Sequence, residues 1–295
     1  MSEPKLSICE FTTPDTTFEE DLELVAQVGA TGIGICEFKL REGDEDRQLG
    51  AFRASGLHAG VCLPVNISPL PDNRIFPGPS DLDERLELMC GSVRRLAPFE
   101  PATIVVATGS GVGRSPEEAR RAVVEVLREV AAVAAREGVR LSLEPQRVDL
   151  VPGRSLVATI GESVELVAEV GAPNLDVLYD VFHLWDTPDV LEQTVRYARG
   201  FGGVHISDWR SETRGPVDRV LPGDGVIDLP ALFAALCDGG YDGWYDLEVF
   251  SDDGRFGNDY ADSLWKLPPR ELLEGGVAGF ARAWDTAVGL SGRKA

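Results

Sequence analysis

The stretch TIVVATGSGVGRSPEEARRAVVEVLREVAAVAAREGVRLSLE, running from Thr103 to Glu144, holds one complete strand–helix–strand unit. Thr103-Ile104-Val105-Val106 is a short β-branched run bounded by turn residues, the signature of a buried strand. Ser115-Pro116-Glu117-Glu118 then opens a helix: Ser115 as N-cap, Pro116 at N1 where its missing N–H costs nothing, and Glu118 closing a capping box. Ala119, Ala122, Val123, Val126, Leu127, Val130, Val133 and Ala134 make one apolar stripe, and Gly138 is placed to stop the helix at C′. Arg140-Leu141-Ser142-Leu143-Glu144 is the next strand.

The same grammar extends in both directions. Thr17-Phe18-Glu19-Glu20 and Gly29 repeat the helix start and stop. Candidate strands begin near Leu6, Gly32, Leu57, Thr103, Arg140, Asn174, Gly202 and Gly243, each pair separated by enough chain for a helical crossover. Eight β/α units without a break in the alternation predict an α/β fold, a single (β/α)8 TIM barrel, with residues 1–295 as one domain. Two long loops interrupt the rhythm: Ile67 to Pro79 after the third strand, and Ser251 to about Arg270 after the eighth, the latter carrying Phe256, Tyr260 and Trp265. Both fall on the face where barrel active sites form, which suits lid or pocket-wall roles.

Composition limits the partners. Asp plus Glu number 49 against 28 Lys plus Arg, a formal net charge of −21. That field opposes phosphate backbones and anionic lipid, so neither nucleic acid nor a membrane is expected as a partner. Hydrophobic residues at 43% supply a sizeable core. The opening MSEPKLSICE lacks a signal-peptide pattern and no long apolar run occurs, so a cytoplasmic location is expected. Cys9, Cys36, Cys62, Cys90 and Cys237 have no close zinc spacing and read as buried thiols.

In a barrel the chemistry gathers at the C-terminal strand ends. The fifth strand ends in Glu144, the sixth in Asp180, the seventh carries His205, and the eighth ends in Glu248. A polar residue at any one strand end is ordinary. Three carboxylates at one cavity mouth, however, resist ionisation unless a cation sits among them. Oxygen ligands with one imidazole suit Mn2+ or Mg2+, with Co2+ or Zn2+ as alternatives. Such an ion, chelating a carbonyl oxygen and a neighbouring hydroxyl, acidifies the C–H between them. Glu144 and Glu248, from strands on opposite sides of the ligand set, could bracket that carbon and exchange its proton. His183, three residues after Asp180, could hydrogen-bond a substrate oxygen, and Arg210 could supply fixed positive charge. Asp208 is a candidate to orient His205 or Arg210. His58 is read as structural.

Several motifs together resemble the xylose isomerase-like TIM barrels of the sugar phosphate isomerase/epimerase superfamily. They are Leu141-Ser142-Leu143-Glu144-Pro145, Tyr179-Asp180-Val181-Phe182-His183, Val204-His205-Ile206-Ser207-Asp208-Trp209-Arg210, Gly223-Asp224-Gly225-Val226-Ile227-Asp228 and Asp246-Leu247-Glu248. The resemblance implies one divalent ion held by Glu144, Asp180, His205 and Glu248, with His183 and Arg210 facing the substrate. It implies a sugar or keto-sugar isomerase or epimerase working by proton transfer through an enediolate, on a small sugar or polyol-derived substrate. The alternative is a lyase, such as an inosose or dehydroshikimate dehydratase or a 3-keto-glycoside eliminase, that expels a β-oxygen substituent from the same intermediate. A homo-oligomer is compatible with either.

One stretch departs from the pattern. Ketose 3-epimerases of this superfamily place a substrate-contacting glutamate shortly after the fifth-strand ligand, where this chain has Gln146-Arg147-Val148-Asp149, so free-ketose specificity is not carried over. Gly109-Ser110-Gly111-Val112-Gly113 lacks the full GxGxxG spacing and reads as a loop that needs backbone freedom. Asp224-Gly225 and Asp228 read as a turn and an N-cap.

Overall fold

A computed structural model describes residues 3–71 and 78–291. Its parallel strands are β1 (Lys5–Cys9), β2 (Gly32–Gly34), β3 (His58–Ala59), β4 (Val61–Cys62), β5 (Thr103–Val106), β6 (Leu141–Leu143), β7 (Leu175–Asp180) and β8 (Phe201–Ile206). A short antiparallel pair, β9 (Asp208–Trp209) and β10 (Arg219–Val220), follows, and β11 (Trp244–Leu247) completes the sheet. The order is β3-β2-β1-β11-β8-β7-β6-β5-β4. Its two ends, β3 and β4, are separated in the chain by Gly60 alone, so they are halves of one strand and the sheet closes on itself as an eight-unit α/β barrel. The strand starts lie within one residue of those expected from the sequence.

Helices cover the barrel: α1 (Phe18–Gln27), α2 (Glu45–Ser55), α3 (Leu82–Leu96), α4 (Pro116–Arg136), α5 (Ile160–Val170), the one-turn α6 (Val181–Leu184), α7 (Val190–Tyr197), α8 (Leu229–Asp238) and α9 (Pro269–Ser291). Both expected capping boxes form, at Thr17 with Glu20 and at Ser115 with Glu118. The α4 stripe from Ala119 to Ala134 is buried, and Gly29 and Gly138 both take the left-handed conformation that ends their helices. Asp228 caps α8 by accepting from the Ala231 N–H. None of the described helices is long and apolar enough to cross a membrane.

Because the barrel is covered on its outside by helices and filled on its inside, its strands are buried along both faces. Both long loops fall where the sequence put them. Of the first, residues 72–77 lie outside the described residues, while Ile67, Ser68 and Leu70 are buried beneath the barrel rim. The second contains a one-turn 3-10 helix, Leu264–Lys266, that lodges Trp265 under the rim, its indole N–H donating to the Val249 carbonyl. Cys9, Cys36, Cys62 and Cys90 are buried and Cys237 is partly so, all as free thiols.

Candidate active site and metal centre

Strand register places the site. Asp180 of β7 is the cross-strand partner of His205 on β8, and His205 is in turn the partner of Asp246 on β11. Glu144 and Glu248 lie one step past β6 and β11, and their N–H groups continue the ladder by donating to the carbonyls of Val106 and Ile206. Alternate residues share a strand face, so Asp246 and Glu248 both point inward. Glu144, Asp180, His205 and Glu248 are all buried, and one donor atom from each lies within 4.8 Å of the others.

The His205 ring organises the cluster. Its Nδ1 is 3.0 Å from Glu144 Oε1 and 3.5 Å from Glu248 Oε2. Glu144 also accepts from the Gln146 amide at 2.8 Å. Asp180 caps α6 by accepting from the Phe182 N–H through Oδ1, while its buried Oδ2 receives no hydrogen bond. His183, on the same turn, accepts the Arg147 N–H at Nδ1, which leaves the proton on Nε2, 3.6 Å from Asp180 Oδ2.

This donor set fits a divalent ion. Two ligands bound about 2.1 Å from one ion can be no more than about 4.2 Å apart, and the four donors here span little more than that. Asp180 Oδ2, aimed into the cluster, receives no hydrogen bond and has the Arg219 guanidinium beside it at 3.2 Å, which leaves a buried charged oxygen that a cation would satisfy. Electrostatics agree. Burial opposes a charge on His205, but Glu248, Glu144 and Asp180 outweigh it and raise the imidazole to about 10. Burial likewise raises Glu144, but the hydrogen bond and charge of His205 overcome it and hold that carboxyl well below the usual range. Burial drives Glu248 upward, against the pull of His205 and Arg219. Without an ion the cluster therefore balances its charge with a proton on His205 and the Arg219 guanidinium. His183 differs: burial lowers it to about 4, so it is neutral near pH 7.

A narrow cleft reaches Glu144 and Glu248 of this cluster, lined also by Gln146, Arg154, His183 and Arg219 with apolar walls from Leu63 and Phe250. The sequence-derived set thus converges, with one residue displaced. Arg210 is not among the lining residues; it pairs with Asp218 at 3.0 Å and with Asp262 at 3.2 Å. Arg154 and Arg219 are the buried arginines lining the cleft, and it is Arg219, from β10 and missed by sequence reasoning, that pairs with the cluster. Its guanidinium lies 2.9 Å from Glu248 and 3.2 Å from Asp180, between the rings of Phe182 and Phe250. Asp208 also departs from expectation: its carboxylate accepts from the N–H groups of Trp209, Gly223 and Ile227, so it shapes the loop after β8 rather than orienting His205 or Arg210. Asp149 is turned to the surface, paired with Arg147.

A family model described as xylose isomerase-like TIM barrel matches residues 22–278. Hydroxypyruvate isomerase of Escherichia coli K12 is 31% identical over 137 residues, 46% of this chain and only 50% of that protein's length. Inosose isomerase of Bacillus velezensis is 28% identical over 261 residues, 83% of this chain and 88% of that protein. Among solved structures, the IOLI protein with a bound zinc atom superposes with a TM-score of 0.76 at 22% identity, covering 95% of this chain and 97% of that one, a likeness of fold. With a closed barrel, a ligand cluster at its C-terminal rim and a family match over most of its length, the chain belongs to the xylose isomerase-like TIM barrel family.

Proposed function

We propose that the protein is a divalent-metal-dependent isomerase or epimerase that moves a proton at a carbon beside a carbonyl of a small sugar, keto-sugar or polyol derivative. The observation that carries this reading is the pair Glu144 and Glu248, two buried carboxylates from well-separated strands that line one cleft and share one imidazole. Glu144, Asp180, His205 and Glu248 would hold the ion, and the zinc of the IOLI structure supports a divalent ion on this fold. When bound, a divalent ion polarises a carbonyl and an adjacent hydroxyl oxygen. Glu144 and Glu248 then act on the carbon, one taking the proton and the other returning it. His183, neutral and with its proton on Nε2, donates a hydrogen bond to a substrate oxygen. Arg219 contributes the fixed positive charge that the sequence had suggested for Arg210. The isomerase names of both relatives support the same reaction class.

The test is solvent exchange. The Mn2+-loaded protein, incubated in D2O with a panel of inososes, hydroxypyruvate and short ketoses, is followed by NMR. Deuterium entering the α-carbon with no loss of water, abolished in Glu144→Gln or Glu248→Gln, is the expected result. An unsaturated product identifies a lyase instead, and no exchange across the panel overturns the reading.

A further inference from the structure

Asp246 has no place in the chemistry above, yet it is fully buried inside the barrel. Its Oδ1 accepts the Ser7 hydroxyl; its Oδ2 receives no hydrogen bond. A buried carboxylate with an unsatisfied oxygen is costly and calls for a partner. The strand register supplies one, since Asp246 is the cross-strand neighbour of His205, and its Oδ2 lies 3.8 Å from His205 Nε2. The ring therefore stands between two acidic groups: Nδ1 toward the ligand cluster and Nε2 toward Asp246. Room for this carboxylate is made by glycine. A Cβ on Gly34 would come within 2.7 and 2.8 Å of the two Asp246 oxygens, and one on Gly60 within 2.4 Å of Ser7 Oγ. The barrel thus gives up side-chain packing on two strands where Ser7 and Asp246 meet.

We infer that Asp246 is a positioning residue for the metal centre: its carboxylate faces the Nε2 edge of His205 and, by closing the 3.8 Å gap seen here, accepts that N–H, which keeps Nδ1 free to donate to the ion and fixes the plane of the ring, with Ser7 holding the carboxylate in register. A histidine ligand whose second nitrogen is tied to a carboxylate is a better and better-aimed donor than a free one. The inference rests on the metal site proposed above, but the arrangement itself is readable without an ion.

Two measurements test it. Calorimetric titration with Mn2+ should show a 10- to 100-fold weaker affinity in Asp246→Asn, about the loss typical when such an outer partner is changed, and a smaller loss in Ser7→Ala. The penalty of Asp246→Asn should vanish in a His205→Asn background, since the effect acts through that ring; an equal penalty in both backgrounds would indicate a merely structural role and overturn the inference. The second readout is the imidazole N–H of 15N-histidine-labelled protein, assigned by its loss in His205→Asn. In the metal-free protein and with diamagnetic Mg2+ in place of Mn2+, its proton should lie downfield in the wild type and move upfield in Asp246→Asn; an unmoved resonance overturns the inference. Failure of the wild-type protein to bind any divalent ion would strike the functional reading, while the N–H shift would still decide the role of Asp246.

Discussion

At the residue scale the site is a problem in charge compensation. Three buried carboxylates and one imidazole cannot stay together unless positive charge is supplied, and without an ion it comes from Arg219 and from His205, which holds a proton up to about pH 10. An ion and that proton compete for Nδ1. The sign follows: because the proton must leave before the nitrogen can donate, apparent metal affinity rises with pH below about 10, and each binding event near pH 7 releases a proton. Titration with Mn2+ in two buffers of different ionisation enthalpy measures the proton count. At least one proton released at pH 7 is the expected outcome, from His205 with a further share from Glu248, whose carboxyl burial raises to about 7; a count near zero, with affinity flat from pH 6 to 8, would show that His205 is already deprotonated or is not a ligand. The cluster itself was legible in the sequence because each of the four residues sits at or near a strand end, and strand ends are where the chain's own periodicity can be read. Asp246 was legible as part of the Asp246-Leu247-Glu248 motif but not as a partner of His205, since that pairing depends on register between strands forty residues apart in the chain.

At the scale of elements, regular structure repeats and loops do not, which is why strand starts were readable to within a residue while the arginine of the cleft was not. Arg210, Arg214 and Arg219 all fall between β8 and α8, and nothing in their spacing says which turns inward. The fold decides through Asp218, a buried carboxylate that draws Arg210 and Arg214 to itself at 3.0 and 2.6 Å. Residue 219 follows on the short strand β10, whose N–H donates to the Phe250 carbonyl and whose side chain passes between two phenylalanine rings into the site. The contrast can be measured once a substrate is found by the exchange assay. Arg219→Lys keeps the charge but loses the planar fork that reaches Glu248 and Asp180 together, and should lower kcat/KM by roughly 30-fold, the equivalent of about 2 kcal/mol for a charged hydrogen bond. Arg210→Lys should stay within about threefold of the wild type, because its guanidinium pairs with Asp218 outside the cleft lining and Arg214 remains to hold that carboxylate. Equal losses in the two variants would return Arg210 to the site.

At the scale of the whole molecule, closure of the barrel is what makes a site from residues spread over more than a hundred positions. Gly60 joins the two halves of the third strand, and with that strand paired on both sides the sheet has no free edge, so the rim that carries Glu144, Asp180, His205 and Glu248 is held from every direction. Binding at such a rim couples directly to global stability, because the unfolded chain disperses the ligands. The chain's charge of −21 acts the same way: neutralising buried negative charge with a cation relieves part of the self-repulsion of the folded state. Stripping the protein with a chelator should therefore lower its melting temperature, and restoring Mn2+ at about 100 times Kd should recover roughly 2.7 kcal/mol, about 4 °C for a chain of this size. The recovery should grow with the logarithm of free ion and be absent in Asp180→Asn, whose side chain can still cap α6 through its amide oxygen but no longer offers the second, charged oxygen that faces the cluster. Differential scanning calorimetry across a Mn2+ series checks both. A melting temperature indifferent to the ion in the wild type, or an equal response in Asp180→Asn, would mean that the four strand-end residues do not form the site at which the cation acts.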